Sequence, residues 1–202
     1  MGTMRHNIVE GEPGIFPDPI ARLFVAFSRF LRRRATPNDA PSPEPHPVST
    51  PTEGGEMSLT MTVEERETFL ADVHVGVLGV ALPDEAPLTV PIWYSYARGG
   101  TVNVITGRSS RKARAIERAG RFSLCAQTEI APYKYVSVDG PVATTDPSVE
   151  VHERRAMAHR YLGPELGEMY LESTQDEAAD NIVIRMTPER WRTTDYGKLF
   201  AV

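Results

Sequence analysis

"ITGRSSRKARAI", residues 105–116, is the stretch where a β-branched run hands over to a helix. Ile105 and Thr106 close the run, Gly107 breaks it, and Ser109 and Ser110 offer oxygens to the first unpaired amides of a helix. Beyond Ser110, Lys112, Ala115, Ile116 and Ala119 share one helical face, while Arg111, Arg114 and Arg118 occupy the other. Gly120 then supplies the stop. Two readings follow. In one, the serines cap the helix and the cations are solvated. In the other, unpaired amides, hydroxyls and the positive end of the helix dipole converge on an anion. Lys112 stands at the N-terminal end of the apolar stripe, against the dipole. That placement costs ~0.3–1 kcal/mol, which a bound anion would reverse.

Outward from this point the pattern is strand after strand. "VHVGVLGVAL" (73–82), "PLTVPIWYSY" (87–96) and "TVNVIT" (101–106) precede it, with the turn "ARGG" between the last two. "RFSLCAQ" (121–127), "YKYVSVDGPVAT" (133–144), "NIVIRMT" (181–187) and "RWRTTDY" (190–196) follow it. Thr62 and Glu65 form a capping box for a helix through about Ala71. Asp146 and Pro147 are expected to open another helix, reaching Leu162 before Gly163-Pro164. Hairpin-linked strands with few helices predict a mainly β (α+β) fold, an antiparallel barrel with flanking helices. Pro91 cannot donate to a ladder, so its strand is expected at an edge or bulge. Leu88, Val90, Ile92, Tyr94 and Tyr96 form that strand's core face. Thr89, Pro91, Trp93 and Ser95 form a flat, mixed face suited to lying beside a planar ring.

The order "VGVLGV … PIWYSY … TVNVITGRSSRKARAI … FSLCAQ … YKYVSVDG" resembles the pyridoxamine 5′-phosphate oxidase-like split β-barrel superfamily, which binds flavin or deazaflavin. More narrowly, it resembles the actinobacterial branch that uses the deazaflavin coenzyme F-420. The similarity covers roughly residues 61–196. It implies a homodimer with cofactor sites at the interface and an oxidoreductase that transfers a hydride to a small molecule. It also implies that the cofactor phosphate meets Ser110, Arg111 and Lys112, and that the ring lies along Thr89, Pro91, Trp93 and Thr106. Arg108 is a further cation beside Lys112 that fits the more anionic deazaflavin. Gln127, on the strand after the helix, is within the expected reach of ring or tail. FMN is the alternative cofactor, in a pyridoxamine 5′-phosphate oxidase-like enzyme. A non-catalytic cofactor or tetrapyrrole carrier on the same barrel is the alternative from another class. No residue set marks an acid, a base or a nucleophile, and the substrate is not legible.

Composition narrows the context. The chain has 202 residues, 41% hydrophobic and 24% charged, with net charge −5, which speaks against nucleic acid as the partner. A single cysteine, Cys125, excludes an intramolecular disulfide and suits a reducing cytoplasm, the compartment expected here. It lies in an apolar run and is expected in the core. His74 reads as structural. His152 and His159 are seven residues apart, without the four-residue spacing of a zinc protease, so no metal is expected.

Residues 35–57 carry prolines at 37, 41, 43, 45, 47 and 51 with almost nothing to bury, and read as a disordered linker. They separate a folded domain at 58–202 from an N-terminal helical extension within 1–34. There Asp18 and Pro19 open a helix with Ile20, Leu23, Phe24, Phe27, Phe30 and Leu31 at helical spacing, and Arg22, Arg29, Arg32 and Arg33 around it. That helix is expected to dock on its own domain or a dimer mate, or to touch a membrane surface weakly. A third possibility is that Met57 is the natural start. A chain beginning at Met57 is expected to stay dimeric, to bind cofactor and to melt cooperatively. An insoluble or monomeric product would show that the extension covers essential apolar surface.

Overall fold

The computed structural model describes residues 58–200, so the expected N-terminal helix and proline-rich linker lie outside the described residues. The capping box forms as the sequence predicts. Thr62 Oγ1 accepts from Glu65 N at 3.2 Å, and Glu65 Oε2 accepts from Thr62 N at 2.7 Å, opening helix α1 (Val63–Ala71). Tyr94 Oη donates to Leu70 O at 3.0 Å and so ties the end of α1 to the core.

Eight strands follow: β1 (Gly76–Val80), β2 (Leu88–Ile92), β3 (Tyr94–Tyr96), β4 (Val102–Gly107), β5 (Arg121–Gln127), β6 (Lys134–Asp146), β7 (Asn181–Met186) and β8 (Arg190–Asp195). Helix α2 (Arg111–Ala119) joins β4 to β5, and α3 (Val151–Ser173) joins β6 to β7. Every ladder is antiparallel, in the order β2-β1-β5-β6-β7-β4-β3, with β8 also on β6. The two ends of this path, β2 and β3, are one stretch of chain interrupted only at Trp93. The sheet therefore returns on itself as an antiparallel split β-barrel.

Two corners make the return possible. The expected single strand over 87–96 changes ladder at Trp93, pairing with β1 before it and with β4 after it. Tyr161 of α3 secures this corner. Its hydroxyl accepts from Tyr94 N at 3.0 Å and has the carbonyls of His74 and Tyr94 each at 2.9 Å. Its ring stacks on Trp93, with centroids 5.0 Å apart and planes 3° from parallel. The second corner lies in β6. Its start pairs with β8 and its end with β7, a register shift falls between Val142 and Thr144, and the β7–β8 break at residues 187–189 lies alongside.

Alternation places the core. Val102 and Val104 of β4, Phe122, Leu124 and Ala126 of β5, and Val136 and Val138 of β6 all point inward and are buried. Ala115 and Ile116 bring α2 against the same cluster. Each fully buried aliphatic side chain here contributes about 1.5–3 kcal/mol relative to an exposed one. The expectation for β2 also holds: Pro91 pairs with Val77 on a strand at the end of the sheet path.

The helix after β6 begins later than the sequence suggests. Asp146 is still in the ladder, paired with Val183, and its carboxylate meets Arg185 Nε at 2.9 Å. Glu150 is the N-cap instead, and the helix turns sharply at Gly163 (φ 75°) and continues to Ser173. Among the described residues, no helix is long and apolar enough to cross a membrane.

Gly140 sits at the second corner, where a Cβ would stand 1.8 Å from the carbonyl oxygen of Thr187. That oxygen is main chain and is held by the bond from Thr187 N to Pro141 O at 3.0 Å. Gly140→Ala is therefore expected to cost about 3 kcal/mol or more in denaturant unfolding. A loss below ~0.5 kcal/mol would show that the corner can open freely.

Candidate functional site

The β4–α2 turn forms as a cap. Ser110 Oγ accepts from Ala113 N at 3.1 Å and shares a hydrogen bond with Thr106 Oγ1 at 3.2 Å. Gly120 closes the helix in the left-handed region at φ 64°, where a side chain would be strained. The expected two-faced helix is present: Ala113, Ala115 and Ile116 are buried, Lys112 is half-buried, and Arg111, Arg114 and Arg118 are exposed. Thr106 is buried and reaches the turn from below.

The turn already holds an anion. Asp180, at the end of a short 3-10 turn (Ala178–Asp180), accepts from Ser109 Oγ at 2.9 Å and from Ser109 N at 3.3 Å through Oδ2. Its carbonyl accepts from Arg108 N at 2.7 Å. The arginines are engaged as well. Arg108 donates to Pro147 O at 2.5 Å, Arg111 pairs with Glu85 at 2.7 Å, and Arg114 donates to Ser109 O. Neither Asp180 nor Glu85 was visible as a partner in the sequence. Each is brought in by the fold from 71 and 26 residues away, with no spacing signal to reveal it.

Thr89, Pro91 and Gln127 lie elsewhere, but together on one surface. The ladders align Pro91–Val77–Cys125–Ser137–Arg192 as one row across the outer face of the sheet, and Thr89–Gly79–Ser123–Asp139–Arg190 as the next. Gln127 aligns with Tyr135 and Thr194 on the same face. Thr89, Pro91 and Gln127 are exposed, and Val77 retains 42% of its surface. Small residues at Gly79, Ser123 and Ser137 keep this face flat. The pair Arg111–Glu85 ties the start of α2 to the β1–β2 loop, which leads directly into Thr89. Basic turn and flat face are thereby joined at one edge.

Trp93 departs from the expected ring face. It is 7% exposed, stacked on Tyr161 and tilted against Tyr170 at 5.3 Å, so helix α3 occupies the surface it presents. The corner is the reason: at the strand break its side chain turns to the helix instead of following Thr89 and Pro91. Cys125 also departs from its expected place in the core. It lies on the outer face, half-buried, and desolvation raises its thiol pKa. Phe122, Leu124 and Ala126 take the inner face of β5, and the strand's unbroken alternation therefore puts Cys125 on the outer one. His74 is stacked on Phe69 at 4.2 Å, with burial lowering its pKa, as suits a packed imidazole.

Two concavities flank these surfaces. One of about 350 Å³ is lined by Gln127, Thr128, Glu129, Tyr133, Lys134 and Tyr135. The other, about 420 Å³, runs along the arginine side of α2 beside Leu82 and Pro83.

The far end of the outer face is closed by ion pairs. Asp139, only 14% exposed, accepts from Arg190 at 2.6 Å, Arg192 at 3.0 Å and Arg121 at 3.1 Å. The bonds from Arg190, and then from Arg192 and Arg121, outweigh desolvation and hold its carboxyl at about 2, below the usual 3.8. A pKa lowered by folding stabilises the protein above the unfolded value, and that contribution disappears as pH falls through the folded one. Stability is thus expected to decline between about pH 4 and pH 2. Asp139→Asn should flatten that decline and lower stability near neutrality. Unfolding curves for both proteins across this window check it; identical acid profiles would remove Asp139 from the account.

Comparison with known proteins fits this geometry. The family model for pyridoxamine 5′-phosphate oxidase matches residues 62–195. No curated protein matches the chain. Among solved structures, a conserved hypothetical protein of Mycobacterium tuberculosis, Rv2991, is similar at a TM-score of 0.56 and 22% identity, over 73% of this chain and 93% of that one. An F420 reductase is similar at 0.46 and 19%, over 62% and 94% respectively. A FAD-binding protein of Mesorhizobium loti stands at 0.46 and 17%, over 66% and 94%. The family model spans most of the described residues and the strands take the order of a closed split barrel; the chain belongs to the pyridoxamine 5′-phosphate oxidase family.

Proposed function

We propose that this protein is an oxidoreductase that binds the deazaflavin coenzyme F-420 and serves hydride transfer to a small molecule in the cytoplasm. The observation that carries the reading is the β4–α2 turn, whose Ser109 amide and hydroxyl already converge on a carboxylate oxygen. Donors arranged for one oxyanion suit a phosphate oxygen equally well. Ser109, Ser110, Arg108, Arg111 and Lys112 would hold the phosphate. The flat outer face at Thr89, Pro91 and Gln127 would carry the ring.

The cofactor supplies the redox chemistry; the chain supplies binding, orientation and the local field. The helix dipole and the basic turn favour the anionic end of the ligand. Gly79, Ser123 and Ser137 let a planar group approach the strands closely. Val77 and Pro91 are apolar and exposed, so burying this face against a second copy of the chain would shield both the ring and the strands. A homodimer with two sites at its interface is therefore part of the proposal.

FMN in a pyridoxamine 5′-phosphate oxidase-like enzyme is the second reading, favoured by the family match. A carrier without turnover is a third, separated by assay with reduced coenzyme. Both cofactors share a tricyclic ring and a phosphate, but the deazaflavin adds a polyanionic tail. Arg108 and Arg111 beside Lys112 favour the more anionic ligand and would steer it at low salt.

Lys112→Ala is expected to weaken F-420 binding by roughly 1.5–3 kcal/mol with the fold retained, while Arg118→Ala leaves it unchanged. Titration of both variants and of the parent protein, with F-420 and FMN at matched ionic strength, tests the reading. Tighter and more salt-sensitive binding of F-420 supports it. Equal affinities of the two variants would remove the phosphate assignment, and preferential FMN binding would transfer it to the flavin.

A further inference from the structure

We propose that Asp180 is a built-in occupant of the phosphate site, and that its carboxylate and a ligand phosphate exclude one another. The inference rests on the phosphate assignment above and adds a regulatory element to the same site. Three contacts place Asp180 there: Ser109 Oγ at 2.9 Å and Ser109 N at 3.3 Å on its Oδ2, and Arg108 N at 2.7 Å on its carbonyl. The same oxygen lies over Gly107, where a Cβ would stand 3.0 Å from it. Oδ2 thus takes both donors that Ser109 can offer to an anion.

Two like charges cannot share those donors. A phosphate oxygen bonded to Ser109 would stand within a few ångströms of the carboxylate, and their repulsion would add to the competition for hydrogens. One must leave. The fold makes Asp180 the one that can. It is exposed, and a hydrogen bond at an exposed site is worth little against water. It ends a three-residue 3-10 turn rather than a strand, and the β4–β7 ladder begins one residue later with Gly107 opposite Asn181. The carboxylate can swing out without opening that ladder.

The neighbouring arginines fit the same state. Arg108 is turned to Pro147 O, and Arg111 to Glu85. With Asp180 in place, the turn satisfies its own positive charge with internal acceptors. A phosphate would release the segment at residues 177–180, between α3 and β7, so occupancy of the site would be felt at the end of α3. Glu177, in the same segment, provides a matched acid for comparison.

Calorimetric titration with inorganic phosphate, and then with coenzyme F-420, of the parent protein, Asp180→Asn and Glu177→Gln tests the proposal. Asparagine keeps an oxygen for Ser109 and so preserves the turn, and Asp180→Ala removes the side chain altogether. Both Asp180 variants are expected to bind each probe roughly tenfold more tightly than the parent, an ordinary size for coupling between two ligands. Glu177→Gln should match the parent. Amide hydrogen exchange at residues 177–180 should rise when the parent binds phosphate. If all four proteins bind with one affinity, the phosphate site stands and the exclusion by Asp180 falls. Weaker binding by the Asp180 variants would make the carboxylate a brace for the turn and likewise overturn the proposal. If none binds either probe, the phosphate site and the proposal fall together.

Discussion

The approach of the Thr187 carbonyl to Gly140 is the contact on which the rest of the barrel depends. With any side chain at 140 the β7–β8 break could not lie against β6, because a Cβ would meet the carbonyl oxygen at 1.8 Å. The long strand β6 is thereby shared by both halves of the sheet, pairing with β5 and β8 early and with β7 late. The Trp93 corner does the same for the opposite side by passing one strand from β1 to β4. Between the two corners the inner faces enclose a continuous apolar core, while the outer face over β1, β2 and β5 stays flat and uncovered by any described helix.

The same geometry explains why the proposed site has two parts. The basic turn is a local product of sequence: glycine, two serines and a helix stripe, with every group within eight residues of the next. The flat face is a product of register, since Thr89, Pro91 and Gln127 come onto one surface only through ladders to β1 and β6. Arg111 and Glu85 join the parts at a distance of 2.7 Å. That pair is exposed and contributes little to stability, so it marks the helix start as lying beside the β1–β2 loop and does not hold it there. The acidic chain meets its own basic turn with its own acids, Glu85 and Asp180, and an anion bound as proposed would compete with them.

What the sequence made legible follows this division. Helix α2 runs from Arg111 to Ala119 as its pattern predicts, because cap, stripe and terminal glycine all act within a dozen residues. Pro91 announced an edge strand by lacking a donor, and the Thr62–Glu65 box announced α1. The strict alternation of its neighbours puts Trp93 on the Pro91 face, whereas the strand breaks there, where the Tyr161 hydroxyl meets Tyr94 from 67 residues away. Asp146 and Pro147 look like a helix start, yet the ladder to Val183 and the ion pair with Arg185 keep Asp146 in the sheet, where β6 ends. Asp180 carried no signal, since its role is fixed only when β7 lies beside β4. Short-range chemistry was readable and long-range partners were not.

In the proposed function, one ligand spans the basic turn and the flat outer face. Amide chemical-shift mapping during titration with coenzyme F-420 tests it most directly. The amides of Ser109–Ala113 are expected to move together with those of Val77, Thr89, Cys125 and Gln127, while the signals of Trp93, whose ring is stacked on Tyr161 of α3, stay where they were. Shifts centred on Trp93 and Tyr161, with the turn and the outer face unmoved, would contradict it.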